Sequence, residues 1–154
     1  MATINFKSVG TTKTTQPTQQ EDQIPVPIGI KTPMQLGSNS LLEMHYELSD
    51  QVADNLRNLL LTNWGERLGE YYFGANLRPI TSEFVNIDNF DSEAVVRIKD
   101  AVSRWMPYVD LIDFISEVNR TENKSTGVIT VTISYNIPQL NVLGRKLQIV
   151  LYVM

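Results

Sequence analysis

Apolar side chains recur at helical spacing from residue 48 onward, with Leu48, Val52, Leu56, Leu59 and Leu60 on one face and Asn63 continuing it. The pattern predicts an amphipathic helix with Ser49 as its N-cap. Asp50 stands in the first turn, where unsatisfied N–H groups favour a carboxylate. Gly65 tolerates the left-handed conformation that ends helices, which places the expected stop near Trp64-Gly65. Residues 65–80 then lose the period. Gly65, Gly69, Gly74 and Pro79 punctuate a loop carrying Tyr71, Tyr72, Phe73 and Leu77, more apolar surface than a solvated loop requires, so this loop is expected to pack against something. A second helix is expected from about Asp91 to Trp105. Val95, Ile98, Val102 and Trp105 share one face, Asp91 and Glu93 complement the first turn, and Met106-Pro107 ends it.

Beyond Pro107 the period falls to two. Residues 109–118 are dense in Val, Leu, Ile and Phe, and residues 119–127 form a polar connection of hairpin type. Ile129, Val131, Ile133, Tyr135 and Ile137 then alternate with Thr130, Thr132, Ser134 and Asn136, the clearest strand in the chain. A third strand places Leu147, Ile149, Leu151 and Val153 inward, and its other face, Gln148, Val150 and Tyr152, is partly apolar. These elements predict an α+β fold: two main helices packed on a three-stranded antiparallel sheet over residues 48–154. No internal repeat is present.

Residues 1–47 follow neither period. Residues 11–20 contain five Thr and three Gln, and Ile24-Pro25-Val26-Pro27 and Thr32-Pro33 work against regular ladders in the next stretch. The expectation is an extended N-terminal arm. Two readings stay open: a frayed tail, or a segment that orders along neighbouring subunits by burying Ile4, Phe6, Val9, Ile24, Val26, Ile28 and Ile30.

With 154 residues, 42% of them apolar, the chain is sized for one domain with a real core. It has no Cys and a single His, His45, which excludes thiol nucleophiles, thiolate zinc sites and multi-histidine metal sites within one chain. No cofactor is expected. Thirteen Lys and Arg against 17 Asp and Glu leave a formal charge of -4, which argues against a nucleic-acid partner and for protein partners. No window of about 18 apolar residues is present. The amino terminus lacks a basic region followed by an apolar run, so a soluble protein without a secretory signal and without a membrane partner is expected. The glycosylation matches at Asn119-Arg120-Thr121 and Asn123-Lys124-Ser125 are set aside as chance occurrences.

The candidates for chemistry are thin. Glu66, Glu70 and Glu83 supply carboxylates for a glycosidase-type pair, but solvated or Arg-paired side chains explain them as well. His45 has no evident nucleophile to serve. Gly65-Glu66-Arg67-Leu68-Gly69 follows a helix and lacks the Lys-Ser or Lys-Thr of a phosphate loop. Asp88-Asn89-Phe90-Asp91 lacks the ligand spacing and distal Glu of a calcium loop, and helix capping explains it. What remains is an aromatic, charged loop and a last strand able to sit at a sheet edge, a combination that suits assembly.

From Asn58-Leu59-Leu60-Leu61-Thr62 through Gly65-Glu66-Arg67-Leu68 to Phe73-Gly74-Ala75-Asn76-Leu77, the chain resembles the small baseplate wedge proteins of contractile-tailed bacteriophages. That family is related to a baseplate subunit of type VI secretion systems and is in part labelled lysozyme-like. The resemblance extends over roughly residues 24–154, through Pro27-Ile28-Gly29-Ile30-Lys31 upstream and the helix and hairpin downstream. It implies a structural protein of the virion, not an enzyme, that assembles in the host bacterial cytoplasm, clasps other wedge subunits around the tail tube and shares strands with the tail sheath protein to initiate the sheath. On that assembly reading the candidate interface residues of this chain are Glu66 and Arg67 for polar docking, Tyr71, Tyr72 and Phe73 for apolar docking, Pro107 for the helix-to-strand turn, and Leu147, Ile149, Leu151 and Val153 for strand pairing. The chain departs from the family at Met106-Pro107-Tyr108, where a Glu-Pro-Arg triplet is common, and at Trp64 and Glu70-Tyr71-Tyr72, which makes the loop less ionic and more apolar. A wall-cleaving enzyme using Glu66 or Glu70, and a free adaptor protein, are the alternatives.

Overall fold

The computed structural model describes residues 26–38, 41–83, 87–120 and 127–153. Its elements run β1 (Gly29–Ile30), β2 (Met44–His45), α1 (Leu48–Leu61), α2 (Arg78–Glu83), α3 (Ile87–Trp105), β3 (Asp110–Arg120), β4 (Gly127–Ile137) and β5 (Val142–Val153). The fold is α+β. A three-stranded antiparallel sheet of order β3-β4-β5 carries the helices on its apolar face. Period-two alternation places Ile129, Val131, Ile133 and Tyr135 of β4 in the core, and register sets Leu147 opposite Ile133, Ile149 opposite Val131 and Leu151 opposite Ile129. Leu56, Leu59 and Leu60 of α1 and Ile98 and Val102 of α3 close the core from above.

The helix boundaries differ from the sequence reading, and tertiary bonds account for it. α1 starts at Leu48 with Glu47 as its N-cap, without a side-chain capping bond, so Ser49 lies inside the first turn. It ends at Leu61, short of Gly65, with Thr62 in extended backbone. There the returning chain takes over the last carbonyls: Ala75 N–H donates to the Leu59 carbonyl at 3.1 Å and Asn76 N–H to the Thr62 carbonyl at 3.3 Å. α2 begins within the stretch read as loop, residues 65–80, and runs past its end. Pro79 sits in its first turn, where no intrahelical donor is lost, and Asn63 Oδ1 accepts the Arg78 N–H at 3.1 Å. α3 begins at Ile87 and so includes Asp91 inside the helix.

The described part of the arm is not bare coil, contrary to the expectation that its prolines exclude a ladder. Gly29 and Ile30 pair antiparallel with His45 and Met44, upstream of Thr32-Pro33, so the short ladder avoids the prolines. The pair is tied to α1 by Asp54, which is buried and accepts from the Thr32 N–H at 2.9 Å and bonds His45 Nε2 at 2.7 Å. Burial pushes the Asp54 carboxyl up, yet the Thr32 N–H and His45 outweigh it and hold the group below its ordinary value. Residues 1–25, with Ile4, Phe6, Val9 and the Thr- and Gln-rich run, lie outside the described residues, as do residues 121–126 of the hairpin connection. Val26, Ile28 and Ile30 are exposed.

Candidate functional site

The loop between α1 and α2 is shaped by positions that only small side chains tolerate. Gly74 has φ +109°, and a Cβ there would stand 2.1 Å from the Thr62 carbonyl oxygen. Gly65, at φ +83°, donates its N–H to the Tyr71 carbonyl at 2.8 Å and closes the loop on itself. Within this frame Glu66 accepts from the Asn63 N–H at 2.8 Å and from Asn63 Nδ2 at 2.9 Å, bonds that hold its carboxyl below the usual range although it is exposed.

Arg67 lies over the Phe73 ring at 4.2 Å, and Phe73 meets Trp105 edge-on at 5.2 Å. These side chains line a groove of about 670 Å³ between the end of α1, the loop and the α3–β3 connection, with Glu66, Met106 and Tyr108. The structure therefore brings Glu66, Arg67 and Phe73 together. Pro107 stands exposed in the same connection, in a turn that the Val109 N–H closes onto the Met106 carbonyl at 3.0 Å. Tyr71 and Tyr72 belong to the other side of the loop. Tyr72 packs edge-on against Tyr71 at 5.0 Å and Trp64 at 5.6 Å, and Trp64 is fixed by its Nε1–H donating to the Gly74 carbonyl at 3.2 Å. Trp64 and Tyr72 face α3 across a cleft of about 410 Å³ that includes Arg97, Asp100 and Arg104.

The last strand occupies an edge of the sheet. Among the described residues no strand pairs with the outer side of β5 or of β3. Leu147, Ile149 and Leu151 are buried core side chains, so they offer a partner only the backbone of their strand; the side chain of Val153 lies outside the described residues. Along β5 the exposed Leu61 and Tyr152 flank a cleft of about 300 Å³ with Leu77, Arg78 and Val150. Leu61 and Arg78 were not singled out as interface residues by sequence reasoning, because nothing local says that the end of α1 and the start of α2 meet beside β5. Val150 and Tyr152 were legible as an apolar outer face.

The other candidates resolve into structure. Asp91 is on α3 and accepts from the Ser116 hydroxyl of β3, a helix-to-strand tie. His45 is buried against Asp54. The side chain of Glu83 lies outside the described residues. Among the described residues no helix is long and apolar enough to cross a membrane.

No protein-family model matches the chain, and no curated protein matches it. Solved structures do. A chain of the anti-feeding prophage baseplate, determined by cryo-electron microscopy with six-fold symmetrisation, is similar with a TM-score of 0.55 at 21% identity, over 69% of this chain and 81% of that one. The fold is one found in a baseplate. A second structure, a candidate tail lysozyme from Geobacter sulfurreducens, is similar with a TM-score of 0.51 at 20% identity, over 69% of this chain and 89% of that one. At such identity the likeness to the baseplate chain is one of fold, and function has to be argued from the surfaces described above.

Proposed function

We propose that this chain is a structural wedge subunit of a contractile-tail baseplate, which joins neighbouring baseplate proteins around the tube and supports sheath initiation by accepting or lending a strand at β5. The observation that carries the reading is the outer edge of β5, which no strand among the described residues covers, on a domain that shares its fold with a baseplate chain. An open edge is a hazard in a solitary protein and an attachment site in an assembly, because its unpaired N–H and C=O groups pair with any extended segment of compatible shape. The loop adds a second surface. Tyr71, Tyr72 and Trp64 are exposed but held by ring contacts, which lowers the entropy lost on docking, and aromatic and Arg side chains of this kind dominate binding energy at interfaces. The outer surface of the arm is assigned to neighbouring subunits, since Val26, Ile28, Met34 and Leu36 are exposed among the described residues, while Thr32 and His45 anchor it to α1.

The geometry gives wall hydrolysis little support. A glycosidase acid needs a carboxyl held above its ordinary value, whereas Glu66 is exposed and held below it by Asn63. Electron cryomicroscopy of particles purified from an infected lysate tests the proposal. Density for this chain between the baseplate and the first sheath ring, with β5 paired to sheath, is the expected result. Intact particles lacking the chain would overturn it.

A further inference from the structure

The two outer strands of the sheet differ in sign. β3 carries Asp110, Asp113 and Glu117, all exposed, against one cation, Arg120, at its end, whereas residues 142–153 of β5 contain Arg145 and Lys146 and no carboxylate. Each edge also has its own cleft beneath the helices. On the β3 side a space of about 290 Å³ is lined by Val95, Ile98 and Lys99 of α3 and by Ile112 and Phe114 of the strand. Lys99 is the cation among those lining residues, against Asp113 within the same cleft and Glu117 farther along the edge. On the β5 side the charged groups lining the cleft are Arg78 and Glu66, and Glu66 is already engaged by Asn63.

We propose that the outer edge of β3 is a second docking site, taking a basic strand from a neighbouring subunit that is not another copy of this chain. The inference rests on reading the chain as an assembly subunit. Strand addition draws its affinity from main-chain bonds, which are blind to sequence, so selectivity has to come from alternate side chains. Asp113, Ile115 and Glu117 alternate on the exposed face, opposite Ser134, Thr132 and Thr130 of β4. A partner with cations four residues apart would set one beside each carboxylate, at the ~5 Å spacing of directly opposed residues. Its intervening apolar residues would point into the cleft toward Phe114 and Ile98. The bulge between Leu111 and Asp113 breaks the ladder, so the usable edge begins at Asp113, one of whose carboxylate oxygens accepts the Phe114 N–H at 2.9 Å, leaving the other for a cation.

Charge argues against a second copy in this role. The outer face of β5 has Lys146 but then Gln148, Val150 and Tyr152, and Arg145 is bound to Asp50 of α1, so β5 cannot supply the second cation. A β3-to-β3 pairing would oppose like charges.

The test uses two short peptides of alternating Thr and Val, one with Lys and the other with Glu at two positions four residues apart. Hydrogen exchange of the full chain is followed with each. The expected result is protection of residues 113–118 by the Lys peptide and not by the Glu peptide, and a loss of affinity of about tenfold in the Asp113→Lys, Glu117→Lys variant. If the double variant does not fold, Glu117→Lys alone carries the comparison. Equal binding of both peptides, protection confined to β5, or no protection at all overturns the inference. Failure of the assembly reading would show elsewhere, as absence of the chain from purified particles, and leaves the peptide result standing.

Discussion

At the scale of single residues, Gly74 constrains the candidate site most tightly. The loop must turn back under the end of α1, and its backbone approaches Thr62 so closely that no Cβ fits. Gly74→Ala combines that overlap with a positive φ that Ala adopts only under strain, so it is expected to cost about 3 kcal/mol of unfolding free energy, measured by urea denaturation. Gly69 has a positive φ but open space around it, so Gly69→Ala is the milder change of the two. Sequence reasoning marked both glycines as punctuation. It had no means to rank them, because the rank depends on the Thr62 carbonyl, which lies twelve residues away in the chain and in contact only after folding.

At the scale of elements, the junction of the β1–β2 pair with α1 depends on Asp54. Asp54→Ala leaves the Thr32 N–H and His45 without their partner, so faster hydrogen exchange at Thr32 is expected, with a stability loss of about 2 kcal/mol. The sign of the pH dependence follows from the lowered carboxyl. A group whose folded-state value lies below its unfolded value stabilises fully above the unfolded value, near 4 on the ordinary scale, and that contribution is lost as pH falls through the lower folded value. The part of the difference between wild type and Asp54→Ala that this carboxylate carries is therefore expected to be fully present above about 4 and to shrink as pH falls below it, which thermal melts across that range would show. The sequence pattern carried α1, α3 and the three long strands because each repeats its period several times. It did not carry β1, β2 or α2, which are too short to repeat any period and exist through partners: His45 and Met44 for Gly29 and Ile30, and Asn63 for Arg78.

At the scale of the whole molecule, the core and the docking edge occupy the same strand, and the two can be separated by face. Ile149 is buried opposite Val131, and Ile149→Ala is expected to lower global stability by about 2–4 kcal/mol in denaturant titration, with assembly defects following only from that loss. Tyr152 is 68% exposed, so Tyr152→Lys is expected to leave stability within about 0.5 kcal/mol of wild type. Incorporation into particles, scored by electron microscopy and gel analysis of purified tails, is expected to fall for Tyr152→Lys if β5 is the sheath-facing edge. Normal incorporation of that variant would remove β5 from the proposed interface.

By itself the sequence determined the fold class, the alternation that sends Ile129, Val131, Ile133 and Tyr135 to the core, and the packing of an apolar loop. These depend on local period and on the transfer of apolar surface out of water, both properties of the residues in order. Tertiary structure decided which of those apolar residues stay available. Leu147, Ile149 and Leu151, which the alternation sends inward, lie in the core and leave only their backbone to a pairing strand, while Tyr71 and Tyr72 remain exposed, with Tyr72 on a different cleft from Arg67 and Phe73. Among the described residues it also left β3 and β5 without a partner on their outer sides, which no residue in either strand encodes. A backbone edge is open or closed according to what lies next to it in space, and that neighbour is set by the whole chain's packing.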